Sequence, residues 1–226
     1  MALAIGTYAI LRQSSAFAIS RIDVSGAPAP VRAQVQRAAH SFVGTNLLAL
    51  DGAALVRRID ALPTVVSAEY DRAFPHRLAL TVVPEVPVAA LRRGRETWLV
   101  SARARVLNRI PRGSEAALPR IWVRRATDIE AGGFLRPATG GTAARTAALA
   151  RRFPARISTV TLSHGEIVLR LHSGLEVRFG SPTDVRLKLA IAQRALAQLP
   201  TGTTYLDVSV PGRPVAGADS QLSGGA

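Results

Sequence analysis

From Arg77 to Val83 the residues Leu78, Leu80 and Val82 alternate with Ala79, Thr81 and Val83. A period of two over that length commits the segment to a half-buried strand. Val65–Arg72 runs up to the break Phe74-Pro75-His76 and forms the other arm of a hairpin. The residues upstream supply its cover. Phe17–Val24 alternates as a strand and stops at Ser25-Gly26, a turn signal. Pro28 and Pro30 open a helix in which Val31, Val35, Ala38 and Phe42 make one apolar stripe, and Gly44 ends it. Asp51 suits the N-cap of a second, short helix with Leu55, Ile59 and Leu62 inward and Pro63 at its end. A β-α-α-β-β unit of this kind can lay both helices on one face of a three-stranded sheet. The other face and the edges are left for partners.

The remainder reads as mostly antiparallel β with one or two packed helices, so the fold class is α+β. Trp98–Val100 and Val106-Leu107 form a hairpin through Ser101–Arg105, and Ile121–Val123 is a short strand. Thr127–Thr146 is a loop leading to a helix around Ala143–Arg152. Ile157–Leu162, Glu166–His172 and Leu175–Phe179 make a meander turning at His164-Gly165 and Ser173-Gly174. Pro182 fits the first turn of the clearest helix, whose stripe is Val185, Leu189, Ala192, Leu196 and Leu199. Tyr205–Val210 is a last strand, followed by a frayed Ser/Gly-rich tail.

Composition narrows the chemistry. There is no cysteine, which removes disulfides, iron–sulfur clusters and thiolate zinc sites. Lys plus Arg number 29 against 15 acidic residues, a net charge of +14, and Lys188 alone among the basic residues is not arginine. Such a charge draws nucleic acid, anionic lipid or an acidic partner. The arginines are scattered, however, and aromatics are only 5%, with Trp98, Trp122 and Phe179 in apolar strands, so a nucleic-acid surface is not expected. His40, His76, His164 and His172 lack metal-ligand spacing. Glu166 and Glu176 could oppose each other across the meander as an acid/base pair, but cross-strand links to Arg170 and Arg178 are the simpler reading. Gly132-Gly133 and Gly140-Gly141 lack the setting of a phosphate loop. No catalytic site, metal or cofactor is expected.

Ala2–Leu11 is apolar, but ten residues span about 15 Å as a helix, roughly half the hydrocarbon thickness of a bilayer. Two readings stand: the outer half of a signal anchor, or a buried terminal helix.

Three stretches, taken in order, resemble the FtsQ/DivIB family of bacterial cell-division proteins. They are FAISRIDVSG (Phe17–Gly26), LPTVVSAEYDRAFPHRLALTVVPEVPV (Leu62–Val88) and the run Gly174–Val215 with GLEVRFG and YLDVSVPGRPV. The second follows the family's closing hairpin, except that Val86 stands where Arg usually follows Glu, and Ser101–Ala104 replaces the family's D-x-x-G turn. The resemblance implies a partial membrane anchor over 1–16, a POTRA domain over 17–88, a β domain over 89–216 and a disordered tail over 217–226. It implies a single-pass protein of the cell membrane, with its folded part on the outer side. Its role is then a non-catalytic divisome scaffold, binding FtsB/DivIC-type and FtsL-type bitopic proteins through β-strand addition at the edge of the C-terminal sheet. The partner-binding residues it points to are Tyr205, Asp207, Ser209, Val210, Arg213, Pro214 and Val215; the Leu206, Val208 and Val210 side chains also suit the core, and the Val208 amide contributes a donor only if it faces that edge. Lys188 and Arg194 attract an acidic partner stretch. The alternatives are a POTRA protein of an export or outer-membrane machinery, and a basic RNA-binding protein.

Overall fold

A computed structural model describes residues 14–114 and 117–218. The apolar segment Ala2–Leu11, for which an anchor is expected, and the tail from residue 219 lie outside them, and among the described residues no helix is long and apolar enough to cross a membrane. The chain divides into two compact units, residues 1–85 and 86–226.

The first unit has the expected β-α-α-β-β order. Strand β1 (Arg21–Ser25) is followed by helix α1 (Ala29–Ala39), helix α2 (Gly52–Asp60) and the hairpin β2 (Val65–Ala73) and β3 (Arg77–Pro84). The sheet order is β1-β3-β2, with β1 parallel to the central β3. Leu78, Leu80 and Val82 are buried against Val35, Ala39, Leu55 and Ile59, as the two periodicities require. Asp51 caps α2 by accepting a hydrogen bond from the Ala54 N–H at 2.9 Å. Gly26 has φ +80° and lies so close to β3 that a Cβ would come within 2.4 Å of the Val82 carbonyl oxygen. Only glycine fits there. One expectation fails: Phe17 belongs to a helical turn (Ser15–Phe17), and the strand starts later, at Arg21. The Ser14 side chain accepts from the Ala16 N–H and favours that turn over extension.

The second unit is one nine-stranded mixed sheet. Its strands are β4 (Pro87–Arg93), β5 (Glu96–Ser101), β6 (Val106–Ile110), β7 (Arg120–Trp122), β8 (Ile157–Ser163), β9 (Glu166–Leu171), β10 (Glu176–Gly180), β11 (Tyr205–Asp207) and β12 (Val215–Gly217). Their spatial order is β12-β11-β10-β9-β8-β7-β4-β5-β6. β7 is parallel to β4 and β8, β10 is parallel to β11, and the other pairings are antiparallel. Helices α3 (Gly141–Leu149) and α4 (Val185–Leu196) bury Ala143, Ala147, Leu189 and Ala192 against Leu91, Ile121, Val160, Leu169, Val177 and Phe179. Gly141 lets α3 start tightly, since a Cβ there would meet the Leu135 carbonyl oxygen at 2.6 Å. The Gly140-Gly141 pair is thus a packing device.

Several local expectations need correction. β4 went unread. Helix α4 begins at Val185, after Asp184 with φ +52°, so Pro182 precedes its first turn. The last strand stops at Asp207, whose carboxylate takes the Ser209 N–H at 2.8 Å and turns the chain. Gly217, expected in the tail, is paired in β12. Trp122 is 52% exposed, on the strand face opposite buried Ile121.

Candidate functional site: the β12 edge

Two strands end the large sheet. At one end β11 sits between β10 and β12, with Tyr205 opposite Gly217, Leu206 opposite Ala216 and Asp207 opposite Val215. The edge is therefore β12, and β11 is interior. The Val208 N–H donates to the Arg178 carbonyl at 2.8 Å and the Glu176 N–H to the Thr204 carbonyl at 2.9 Å. By alternation these bonds leave the Leu206 N–H and C=O facing β10, while the Thr204 N–H, just before the strand, turns to the Gly217 carbonyl at 2.9 Å. Tyr205 and Asp207 then face Gly217 and Val215, and strand alternation turns the N–H and C=O of Ala216 out of the sheet. The Val208 amide is internal and does not face the edge, and Val208 is fully buried.

The sequence-derived residues fall into three groups. Val215, Pro214, Arg213 and Val210 are exposed along or beside β12, and the Arg213 N–H closes a turn onto the Val210 carbonyl at 3.0 Å. Tyr205, Asp207 and Ser209 are half-buried. The Arg178 guanidinium lies 4.4 Å from the Tyr205 ring centroid, which fixes that ring on the helix-free face. Ser209 backs onto Gly180, where an added Cβ would approach the Ser209 Cβ to 2.8 Å. Arg194 is exposed on α4, remote in sequence from the edge.

Lys188 corrects the expectation. It is 2% exposed, and its ammonium donates to the carbonyls of Phe179 (2.9 Å) and Ser181 (3.0 Å). That side chain ties the end of β10 to α4 and is not presented to a partner. The signal was present in the sequence, because position 188 falls on the same apolar stripe as Val185, Leu189 and Ala192.

The rest of the helix-free face is charged. Glu176 lies opposite Arg170 and forms ion pairs with Arg170 and with Arg178, the latter at 3.6 Å. Glu166 is opposite Ser163, so the two glutamates do not meet and make no acid/base pair. Arg92 sits 5.5 Å from the Trp122 ring centroid, and burial, with Arg120 and Arg112 adding repulsion, lowers its pKa. Arg103 and Arg105 stand similarly over Phe134, which is 62% exposed. These cation-flanked aromatics escaped the sequence reading, although alternation around Ile121 already placed Trp122 on the opposite face. Among the described residues no three His, Asp or Glu side chains are grouped to hold a metal ion.

A β-α-α-β-β unit followed by a mixed-sheet domain ending in a short free strand defines a POTRA-bearing protein of the cell-division type. The POTRA domain of FtsQ type matches residues 17–83, and the C-terminal domain of cell division protein FtsQ/DivIB matches residues 89–209. Cell division protein FtsQ of Streptomyces coelicolor is 28% identical over 221 residues, covering 93% of this chain and 82% of that protein. The Myxococcus fulvus protein of the same name is 30% identical over 194 residues, 81% of this chain and 66% of its own length. The chain belongs to the FtsQ/DivIB family of cell-division proteins.

Proposed function

We propose that the protein is a non-catalytic scaffold of the division septum. It is held at the cell membrane by a single-pass anchor that includes Ala2–Leu11, with both folded units on the outer side. Its partners are the external segments of FtsB/DivIC-type and FtsL-type division proteins, which add a strand to β12. The observation that carries this reading is the outward-facing main chain of Ala216 on a sheet whose opposite end strand, β6, is capped at Val106 by a loop. A partner strand would gain main-chain hydrogen bonds there, and Val215, Tyr205 and Asp207 would set its register. Arg213 and Val210 flank the same edge.

The test is Ala216→Pro, which removes the outward donor without taking one from the β11 ladder. Binding of the external segments is measured by calorimetry on wild type and variant. A loss of about tenfold or more, roughly 1.4 kcal/mol, with unchanged unfolding is expected. Unchanged binding in the folded variant moves the interface away from β12.

A further inference from the structure

The first unit carries an aromatic contact at the margin of its core, where Phe17 packs. Phe74, at the tip of the β2–β3 hairpin, is 52% exposed, although Phe17 packs edge-on against it with ring centroids 5.6 Å apart. Phe17 lies in the segment by which the chain enters the unit, and that segment is firmly held. The Asn46 side-chain amide donates to the Ser14 carbonyl at 2.7 Å, and the Leu47 N–H donates to the Phe17 carbonyl at 2.9 Å. The hairpin is tied to it as well, because the Ser20 N–H donates to the His76 carbonyl at 2.9 Å and the His76 ring nitrogen Nδ1 lies 3.2 Å from the Ala18 carbonyl oxygen. Entry segment and hairpin tip therefore form one lip of the unit.

We infer that this lip rests in the bilayer interface, with Phe74 at headgroup depth. The inference builds on the anchor reading of Ala2–Leu11. Ser14 lies only three positions beyond Leu11, at most about 11 Å of extended chain. A membrane-embedded Leu11 thus holds Ser14, and the lip fixed to it, within reach of the headgroups. The chemistry of the lip suits that depth. Aromatic rings partition to the interface, and basic side chains beside them meet lipid phosphates. Arg77 and His76 are exposed at the tip, while Arg21 is already paired with Asp23 at 2.7 Å. Aromatic partitioning is accordingly the main contribution and salt dependence is shallow. A consequence is orientation: a protein held at two points, anchor and lip, cannot swivel freely about its anchor.

The chain has no cysteine, so single-cysteine reporters are clean. The full chain is reconstituted into phosphatidylethanolamine/phosphatidylglycerol vesicles with an environment-sensitive fluorophore at Tyr8→Cys, Phe74→Cys, Ala73→Cys or Ala61→Cys, the last exposed at the end of the first unit opposite the hairpin tip. Quenching by spin labels at headgroup and acyl-centre depth is then compared. The expected pattern is acyl-depth quenching at position 8, about twofold or greater headgroup-depth quenching at 74 and 73, and none at 61. Adding Phe74→Asp to the Ala73→Cys protein should abolish quenching at 73. Deep quenching at position 8 with none at 73 and 74 overturns the lip and leaves the anchor standing. No quenching at position 8 overturns the anchor reading and the lip with it.

Discussion

The nine-stranded sheet has two ends, and they are treated differently. At the β6 end a loop closes over the start of the strand: the Val106 N–H donates to the Gly133 carbonyl at 2.8 Å, the Gly132 N–H to the Val106 carbonyl at 2.8 Å, and the Leu135 N–H to the Ala104 carbonyl at 2.9 Å. The Arg105 side chain adds a bond to the Gly132 carbonyl at 3.1 Å. At the β12 end three residues run along the edge with nothing paired to their outer side among the described residues. An unpaired edge invites association, and proteins commonly cover or shorten it. Here one edge is capped where it begins and the other is short and uncapped, an asymmetry that suits an edge kept for a partner.

The comparison can be broken at several points. The largest effect is expected where both ends share a core. Phe179→Ala, at a fully buried position on β10, should cost about 3–5 kcal/mol in urea unfolding, with loss of order at both edges together. A loss confined to β10–β12 would show that the two ends fold separately.

Lys188→Met comes next. It leaves the Phe179 and Ser181 carbonyls without their donor and should cost about 1–3 kcal/mol, measured by the same unfolding. Partner binding by the folded variant should be unchanged, because the ammonium is internal. Weakened binding at full stability would restore Lys188 as a contact.

Arg178→Ala removes the cation over Tyr205 and the 3.6 Å link to Glu176. Both are partly exposed, so about 0.5 kcal/mol of stability is at stake. Its sharper readout is the Tyr205 ring, whose NMR shifts should move while those of the β6 end do not.

The smallest effect belongs to the covered end. Arg93 donates to Glu96 at 2.7 Å and to the Thr127 carbonyl at 2.8 Å, and that hydrogen bond holds the Glu96 carboxyl below its ordinary pKa. A carboxylate with a depressed folded pKa contributes stability above its unfolded pKa and loses it as pH falls through the folded value. An NMR titration of Glu96 should therefore show a midpoint below the usual glutamate range, and Arg93→Ala should return it to that range.

How far these features could be read beforehand depended on whether a strand shows alternation. In the first unit one face of β3 is buried and the other is not, so Leu78, Leu80 and Val82 announced it. β4 is buried from Val88 to Arg92, and with both faces covered its Val-Ala-Ala-Leu run shows no period. β12 is three residues long between Pro214 and the chain end, too short for any periodic signal. The order of the sheet was equally hidden, since parallel pairing of β7 with β4 joins segments some thirty residues apart across the β5 and β6 strands. β12 moves the edge out by one strand: Val215 and Arg213 lie along or beside it, whereas Tyr205 and Asp207 belong to β11, one strand in. Trp122 and Lys188 were misread differently, because their surroundings were judged from neighbours in sequence and not from the face each occupies.

The most direct measurement is hydrogen exchange by NMR on the protein alone and with the external segment of an FtsB/DivIC-type partner. The Ala216 amide should exchange freely in the unbound protein and become protected on binding, while amides of β6 keep their rates. Protection of Ala216 before any partner is added, or binding that slows β6 and leaves Ala216 unchanged, would contradict the assignment of β12 as the strand-adding edge.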